Sequence, residues 1–313
     1  MAPLDEGEIR LANVLKRKHS AGHLARRIVG EVWEHPNNAH RRVRAVAGAL
    51  AWQVRKRVRP EPFVRPVFRS SKIWMDPAAG SASNIVYFGD KFDLEEMTFL
   101  ERFLRPGDHF LDVGANIGTY SLLAAELVGP TGHIDAFEAV PPIVEMLRAN
   151  IELNELGELV QIHAVAVADE PGVAAFRVDM DVSSRLTVDA DPSGRSVEVE
   201  VCRLDDVVDG EVAVAKIDVE GAESRVLAGF GRHLREAPPV LLIEVLDHQL
   251  KRMGSSAAQL VDELDEAGYD LASYVVETGA LEPVERGRAS VGNVIAVPRR
   301  SRQIVLDRLA ARS

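Results

Sequence analysis

The chain has 313 residues, 46% of them apolar and 27% charged, which suits one large folded domain with an extension. Its net charge of −11 conceals a division, since residues 1–72 carry +10 and the remainder −21. No apolar run approaches the roughly 18 residues that cross a bilayer, no signal peptide is evident, and a lone cysteine, Cys202, excludes an internal disulfide and a thiolate metal cluster. A cytoplasmic location is the expectation.

Helices are predicted over 8–30 and 39–58, split by the breaker Pro36-Asn37-Asn38. A basic segment of this kind can be a nucleic-acid or membrane-surface arm. Here no aromatic residues interleave with the basic ones as a base-stacking surface requires, so a solvated helical pair and no nucleic-acid partner are expected. Pro60, Pro62 and Pro66 mark a linker, and the expected division is a basic helical extension and linker (1–70), a main domain (71–300) and a C-terminal tail (301–313). Short strands are predicted at 63–68, 72–76 and 84–88, then a helix from Leu94 to Leu104 stopped by Pro106-Gly107.

From Asp108 the pattern becomes a regular alternation. Strand 108–113 leads to helix 117–128, strand 132–138 to a helix from Pro142 to Asn154, and strand 159–163 follows. An alternating pair, 173–178 and 196–202, brackets a long polar segment, Asp179 to Arg195, of a length often seen in functional loops. Next come strand 212–218, helix 222–230, strand 239–245, helix 256–267, and strands 270–276 and 292–297. Strands alternating with helices predict an α/β protein with a mostly parallel sheet covered on both faces.

The first strand of that series runs into a turn with Asp112, Gly114, Asn116 and Gly118, and the next strand ends on Glu138. A strand, glycine turn, helix, strand and acid in succession hold a ribose-bearing cofactor at the carboxyl edge of a parallel sheet, the acid accepting from two ribose hydroxyls. A dinucleotide needs three glycines around its pyrophosphate, and this turn has two, with Asn116 between them. S-adenosylmethionine has no phosphate and fits better: its adenosine suits Glu138 and its amino-acid end the polar turn at Asp112 and Asn116. Gly114 would let the backbone approach the ligand without a Cβ. His163, ending the third strand, falls where an adenine edge would lie, or is a satisfied structural histidine.

From about Glu95 to Pro298 the chain resembles the FkbM family of S-adenosylmethionine-dependent methyltransferases. The likeness rests on Pro106-Gly107-Asp108, Leu111-Asp-Val-Gly-Ala-Asn-Ile-Gly118, Phe137-Glu138 with Pro141, Asn150-Ile151 with Asn154, and Ala166-Val-Ala-Asp169. It continues through Leu204-Asp-Asp206, Lys216-Ile-Asp-Val-Glu-Gly-Ala-Glu223, Glu244 and Asn293. Two departures stand out: Ala139 replaces the usual proline after Phe137-Glu138, and the nearest histidine after Glu244 is His248, four residues on. The resemblance implies a class I methyltransferase Rossmann-like sheet of order 3-2-1-4-5-7-6 with the last strand antiparallel. It also implies methyl transfer to a hydroxyl oxygen of a sugar or polyketide-type small molecule or glycan.

A sugar hydroxyl is a poor nucleophile, so the site needs a general base or a metal ion. Candidates at the carboxyl ends of the fourth and fifth strands are Asp218, Glu220 and Glu244, which can share a proton or offer oxygen ligands to Mg²⁺. Asp218 ends an apolar strand and is expected to face the site, while Glu220 can instead cap the following helix. Glu244 is costly to bury unpaired, so it is functional or bonded to the turn near Asp218. Glu223 reads equally as a helix-dipole partner, and Lys216 as one half of a structural ion pair. Ser183, Ser184 and Arg185 in the long polar loop are candidates for an oxygen-rich acceptor, Asn293 is one by resemblance only, and His109 lies at a strand start, on the edge away from catalysis. Two other functions compete: a non-catalytic cofactor-binding scaffold, and a nicotinamide-dependent oxidoreductase, for which no Tyr/Lys or Ser/His catalytic set is apparent.

Overall fold

The computed structural model describes residues 26–77, 80–177, 185–186, 196–285 and 291–311. Ser183 and Ser184 lie outside these, as does the side chain of Arg185. By its internal contacts the chain divides into two units, Met1–Pro62 with Asp76–Phe92, and Phe63–Met75 with Asp93–Ser313.

The first unit is helical. Helix α1 (26–34) stops at the Pro36-Asn37-Asn38 turn, α2 (Arg42–Val58) follows, and α3 (Gly80–Phe88) completes the unit. The buried Asn38 side-chain amide donates to the carbonyls of Val32 (2.8 Å) and Tyr87 (2.9 Å), joining the end of α1 to α3. Helix α3 corrects the strand expected at 84–88. Its β-branched and aromatic residues favour a strand locally, but Ala82 and Ile85 are buried and Ser83 accepts from the Trp52 indole of α2, so tertiary packing overrides local preference.

The second unit opens with a hairpin, β1 (Phe63–Val67) and β2 (Ser71–Met75), and helix α4 (Leu94–Phe103). Strand β3 (His109–Val113), α5 (Thr119–Val128), β4 (His133–Phe137), α6 (Pro141–Leu153) and β5 (Val160–His163) come next. A small sheet holds β6 (Ala166–Val167), β7 (Gly172–Arg177), β8 (Arg185–Leu186) and β9 (Ser196–Cys202). After the short α7 (Leu204–Val207) the main series resumes with β10 (Val214–Ile217), α8 (Glu223–Gly229), α9 (Gly231–Glu236), β11 (Val240–Leu246), α10 (Asp247–Arg252) and α11 (Ala257–Glu266). It closes with β12 (Tyr269–Val275), β13 (Ala280–Pro283), β14 (Val291–Pro298) and α12 (Arg302–Ala310).

The main sheet runs β13-β12-β14-β11-β10-β3-β4-β5. With β13 set aside as an added edge strand, this is the 3-2-1-4-5-7-6 order, and β14 is antiparallel to both of its neighbours. Phe110, Leu111, Val113, Ala215, Ile217, Leu241 and Ile243 are fully buried, as parallel strands covered on both faces require. Helix α5 is apolar almost all round because it packs against β3 and β4 on one side and α4 and β2 on others. Asn150 of α6 and Asn154, which caps its end, accept from the Trp74 and Lys72 amides of β2 (both 2.7 Å). No described helix is long and apolar enough to cross a membrane.

Candidate active site

The glycine turn is locked onto its neighbours by the main chain. The amides of Gly114 and Ala115 both donate to the Phe137 carbonyl (3.0 and 2.9 Å), fastening the end of β3 to the end of β4. Gly114 has φ +81°, and a Cβ there would stand 1.9 Å from the Asp218 carbonyl oxygen. Only glycine therefore lets the ends of β3 and β10 close up. Asn116 is also left-handed, φ 52°, a conformation asparagine tolerates better than most residues; its side-chain oxygen accepts from the Ile117 amide (2.8 Å). Gly118, φ +86°, begins α5, where a Cβ would collide with Leu147.

Glu138 is held from two sides. Its Oε2 accepts from the Asn116 amide (3.0 Å) and its Oε1 from the Val140 amide (2.9 Å). Each oxygen has a further lone pair for a diol. Burial raises the carboxyl above its ordinary value, against those amides. The missing Gly114 side chain makes room for the Asp218 carbonyl and not, as expected, for a ligand; what fits an adenosine-bearing ligand at this edge is the Glu138 carboxylate, fixed by backbone amides with a lone pair free on each oxygen.

Asp112 lies deeper. Its Oδ2 accepts from the Ser121 hydroxyl (2.6 Å), and its Oδ1 has no hydrogen-bond partner among the described residues. Lys216, paired in register with Asp112 across β3 and β10, brings Nζ within 3.9 Å of that oxygen and 3.2 Å of Asp218 Oδ2. The ammonium also stands 4.9 Å from the Tyr120 ring centroid. Burial disfavours its charge, but Asp218 and Asp112 outweigh burial and raise its pKa.

His163 is occupied otherwise. Its Nε2 is 2.6 Å from Asp135 Oδ1, and its ring stacks on Phe137 at 4.4 Å. The described geometry thus gives its ring a structural partner, while its carbonyl accepts from the Glu138 amide (3.1 Å).

Opposite the turn the site is acidic. Asp218 follows the last residue of β10, with its side chain 40% exposed. Glu244 on β11 pairs in register with Asn293 on β14. Burial, with the charges of Asp218, Glu220 and Glu223, pushes the Glu244 carboxyl up to about 8 against the pull of Lys216. Glu223 is pushed up to about 7 by burial, although its Oε1 accepts from the Val219 and Gly221 amides (3.2 and 3.1 Å). Glu220, also left-handed, accepts from the Gln249 amide of α10 (2.7 Å). His248 is exposed on α10.

Helix α4 adds carboxylates that motif reading missed. Asp93 and Glu96 form an acid-x-x-acid start of the kind that caps a helix, yet the Asp93 side chain makes no capping bond and accepts from the Tyr120 hydroxyl (2.9 Å). Burial pushes Glu96 up to about 7, the charges of Asp93 and Glu95 adding to it while a hydrogen bond from Asn293 opposes. The one available signal was the misfit of two acids before an apolar helix face.

The sequence profile described as "Methyltransferase FkbM domain" matches residues 112–271, half of the chain. The chain belongs to the FkbM methyltransferase family. The 31-O-demethyl-FK506 methyltransferase FkbM of Streptomyces tacrolimicus is 34% identical over 161 residues, covering 40% of this chain and 60% of that protein. A protein-L-isoaspartate O-methyltransferase of Methanothrix thermoacetophila is 47% identical over 49 residues, 16% of this chain and 23% of that one. The chain thus spans less than two-thirds of the length of these relatives. Among solved structures, a methyltransferase FkbM from Methylobacillus flagellatus KT is similar at TM-score 0.41 and 14% identity, over 69% of this chain and 54% of that one. Membership of an FkbM methyltransferase family leaves the nicotinamide alternative without support.

Proposed function

We propose that the protein transfers the methyl group of S-adenosylmethionine to a hydroxyl oxygen of a small molecule or glycan, of sugar or polyketide type. The carrying observation is the Glu138 carboxylate, oriented by the Asn116 and Val140 amides beside a glycine turn that admits no side chain. On this reading Glu138 holds the ribose, Gly114 and Gly118 shape the turn, Asp112 and Asn116 face the amino-acid end, and His163 borders the adenine. Bound there, the sulfonium supplies an electrophilic methyl group.

The protein's part is to align the acceptor and take its proton. Glu244 is the general base, because a carboxyl titrating near neutrality both exists ionised and holds a proton well. Asp218, partly exposed and steadied by Lys216, orients the acceptor hydroxyl, and Glu220, tied to Gln249, sets the electrostatics around Glu244. These carboxylates also have the oxygen chemistry to hold Mg²⁺, and a chelator arm in the assay separates the two uses.

Calorimetry with S-adenosylmethionine and S-adenosylhomocysteine tests the cofactor half. Glu138→Ala removes two hydrogen bonds to a charged acceptor, so affinity should fall about 100-fold or more. Unchanged binding would end the assignment. Incubation with a labelled methyl donor and an extract of small molecules, read by mass spectrometry, then identifies the acceptor; no labelled product alongside intact cofactor binding would favour a scaffold.

A further inference from the structure

At the opposite edge of the sheet, three histidines surround one carboxylate. His109 and His133 are register partners at the first positions of β3 and β4, and Asp135 is two residues beyond His133 on the same face. The Nε2 atoms of His109 and His133 converge on one oxygen, Asp135 Oδ2, at 2.8 and 3.3 Å, and the two rings stand 4.8 Å apart. The other oxygen, Oδ1, is taken by His163 Nε2 at 2.6 Å.

We propose that His109, His133 and Asp135 form a binding site for a divalent transition-metal ion of the zinc class, separate from the cofactor turn. Four observations carry this. The three donor atoms lie within 4.8 Å of one another. Zinc with nitrogen and oxygen ligands at about 2.0–2.2 Å in a tetrahedron needs its ligand atoms about 3.4 Å apart; the two separations to Asp135, 2.8 and 3.3 Å, are within about half an ångström of that, and the two imidazole nitrogens are at most 4.8 Å apart. Asp135 and His109 are nearly buried, at 7% and 12% side-chain exposure, whereas His133 at 43% keeps an approach and a fourth position open to water. His163, bonded to the carboxylate oxygen that does not face the other two rings, supplies the outer hydrogen bond that orients a ligating carboxylate.

Donor chemistry selects the ion. Two imidazoles and one carboxylate suit zinc, nickel, cobalt or iron and not magnesium or calcium, which take oxygen donors. The function is structural: such an ion would clamp the starts of β3 and β4, the strands whose other ends carry Gly114 and Glu138.

The test uses tag-free full-length protein stripped with a chelator and titrated with Zn²⁺ against a competing metallochromic dye, and with Co²⁺ followed by its visible absorption. One equivalent of tight Zn²⁺ and a low-symmetry Co²⁺ spectrum are expected, with Zn²⁺ raising the thermal midpoint. His133→Ala, at a half-exposed position that leaves the fold intact, should abolish the tight equivalent, and His163→Gln should weaken it about 10- to 100-fold. Calorimetry of S-adenosylmethionine on His133→Ala, a residue with no part in the proposed cofactor pocket, should be unchanged, which keeps this result independent of the cofactor assignment. If the wild type binds no more tightly than His133→Ala, or if the Co²⁺ spectrum is the same in both, the histidines are a proton-linked hydrogen-bond network only and the proposal fails.

Discussion

The two halves of the site use their polar groups in opposite ways. On the side proposed to hold the cofactor, between β3 and β4, backbone amides point at fixed acceptors: Gly114 and Ala115 at the Phe137 carbonyl, Asn116 and Val140 at Glu138. On the side proposed to receive the acceptor, around the ends of β10 and β11, carboxylates crowd around Lys216, and Glu223 and Glu244 each keep one buried oxygen with no hydrogen-bond partner among the described residues. The first half is finished before a ligand arrives. The second stores unfavourable electrostatics, which is how a fold holds carboxyl groups near neutrality for proton transfer.

The largest effect should come from breaking the finished half. Gly114→Ala forces a Cβ into the Asp218 carbonyl and an L-residue into a strained backbone region, a combination costing several kcal/mol. Loss of cofactor binding is expected together with a large fall in thermal midpoint. If Gly114→Ala melts like the wild type and binds S-adenosylmethionine normally, the turn is not the rigid element described above.

Glu244→Gln should instead expose the stored half. The rate constant for methyl transfer should drop about 10²- to 10⁴-fold, as for loss of a general base, while cofactor affinity stays constant. The wild-type rate should rise with pH through the range set by values of about 7 and about 8, as Glu96, Glu223 and Glu244 ionise. Stability should move the other way. Each of these groups has a folded pKa above its ordinary 4.5, so the folded state binds more protons, and stability is lost as pH climbs from about 4.5 to about 8. Thermal midpoints measured across that window should fall, and in Glu244→Gln the fall should be shallower. A flat profile in the wild type would mean that the carboxylates are not destabilised.

How far sequence reading reached follows the same division. The glycine turn at Gly114 and the acid at Glu138 were legible because they are local in sequence, and the mostly parallel sheet because the βα pattern repeats; the strand order came only with the family resemblance, and the edge strand β13 and helix α12 were missed because Ala280–Pro283 and Arg302–Ala310 carry weak periodicity. Asp218 and Glu244 were visible as polar residues ending apolar strands. Asp93 and Glu96 were not, since their surroundings depend on α4 packing against α5 and β12, and two acids before an apolar helix face read locally as a cap. The strand expected at 84–88 erred for a related reason: four apolar residues cannot say whether they pair with a strand or pack on α2.

Tyr120 offers the smallest and most discriminating change. It follows the glycine turn in sequence, yet its hydroxyl donates to Asp93 on the acceptor wall and its ring lies beneath the Lys216 ammonium. Tyr120→Phe keeps the ring and removes only the donor, so stability should fall by about 1 kcal/mol. Burial already raises the Asp93 carboxyl, opposed by the Tyr120 bond and the Lys216 charge, so losing the first of these should let Asp93 take up a proton at still higher pH in the variant. Membership in the acceptor half predicts a displaced pH–rate profile with unaltered S-adenosylmethionine affinity. A loss of affinity comparable to that of Glu138→Ala would place the hydroxyl in the cofactor half instead, and the line between the two regions would have to be redrawn through α5.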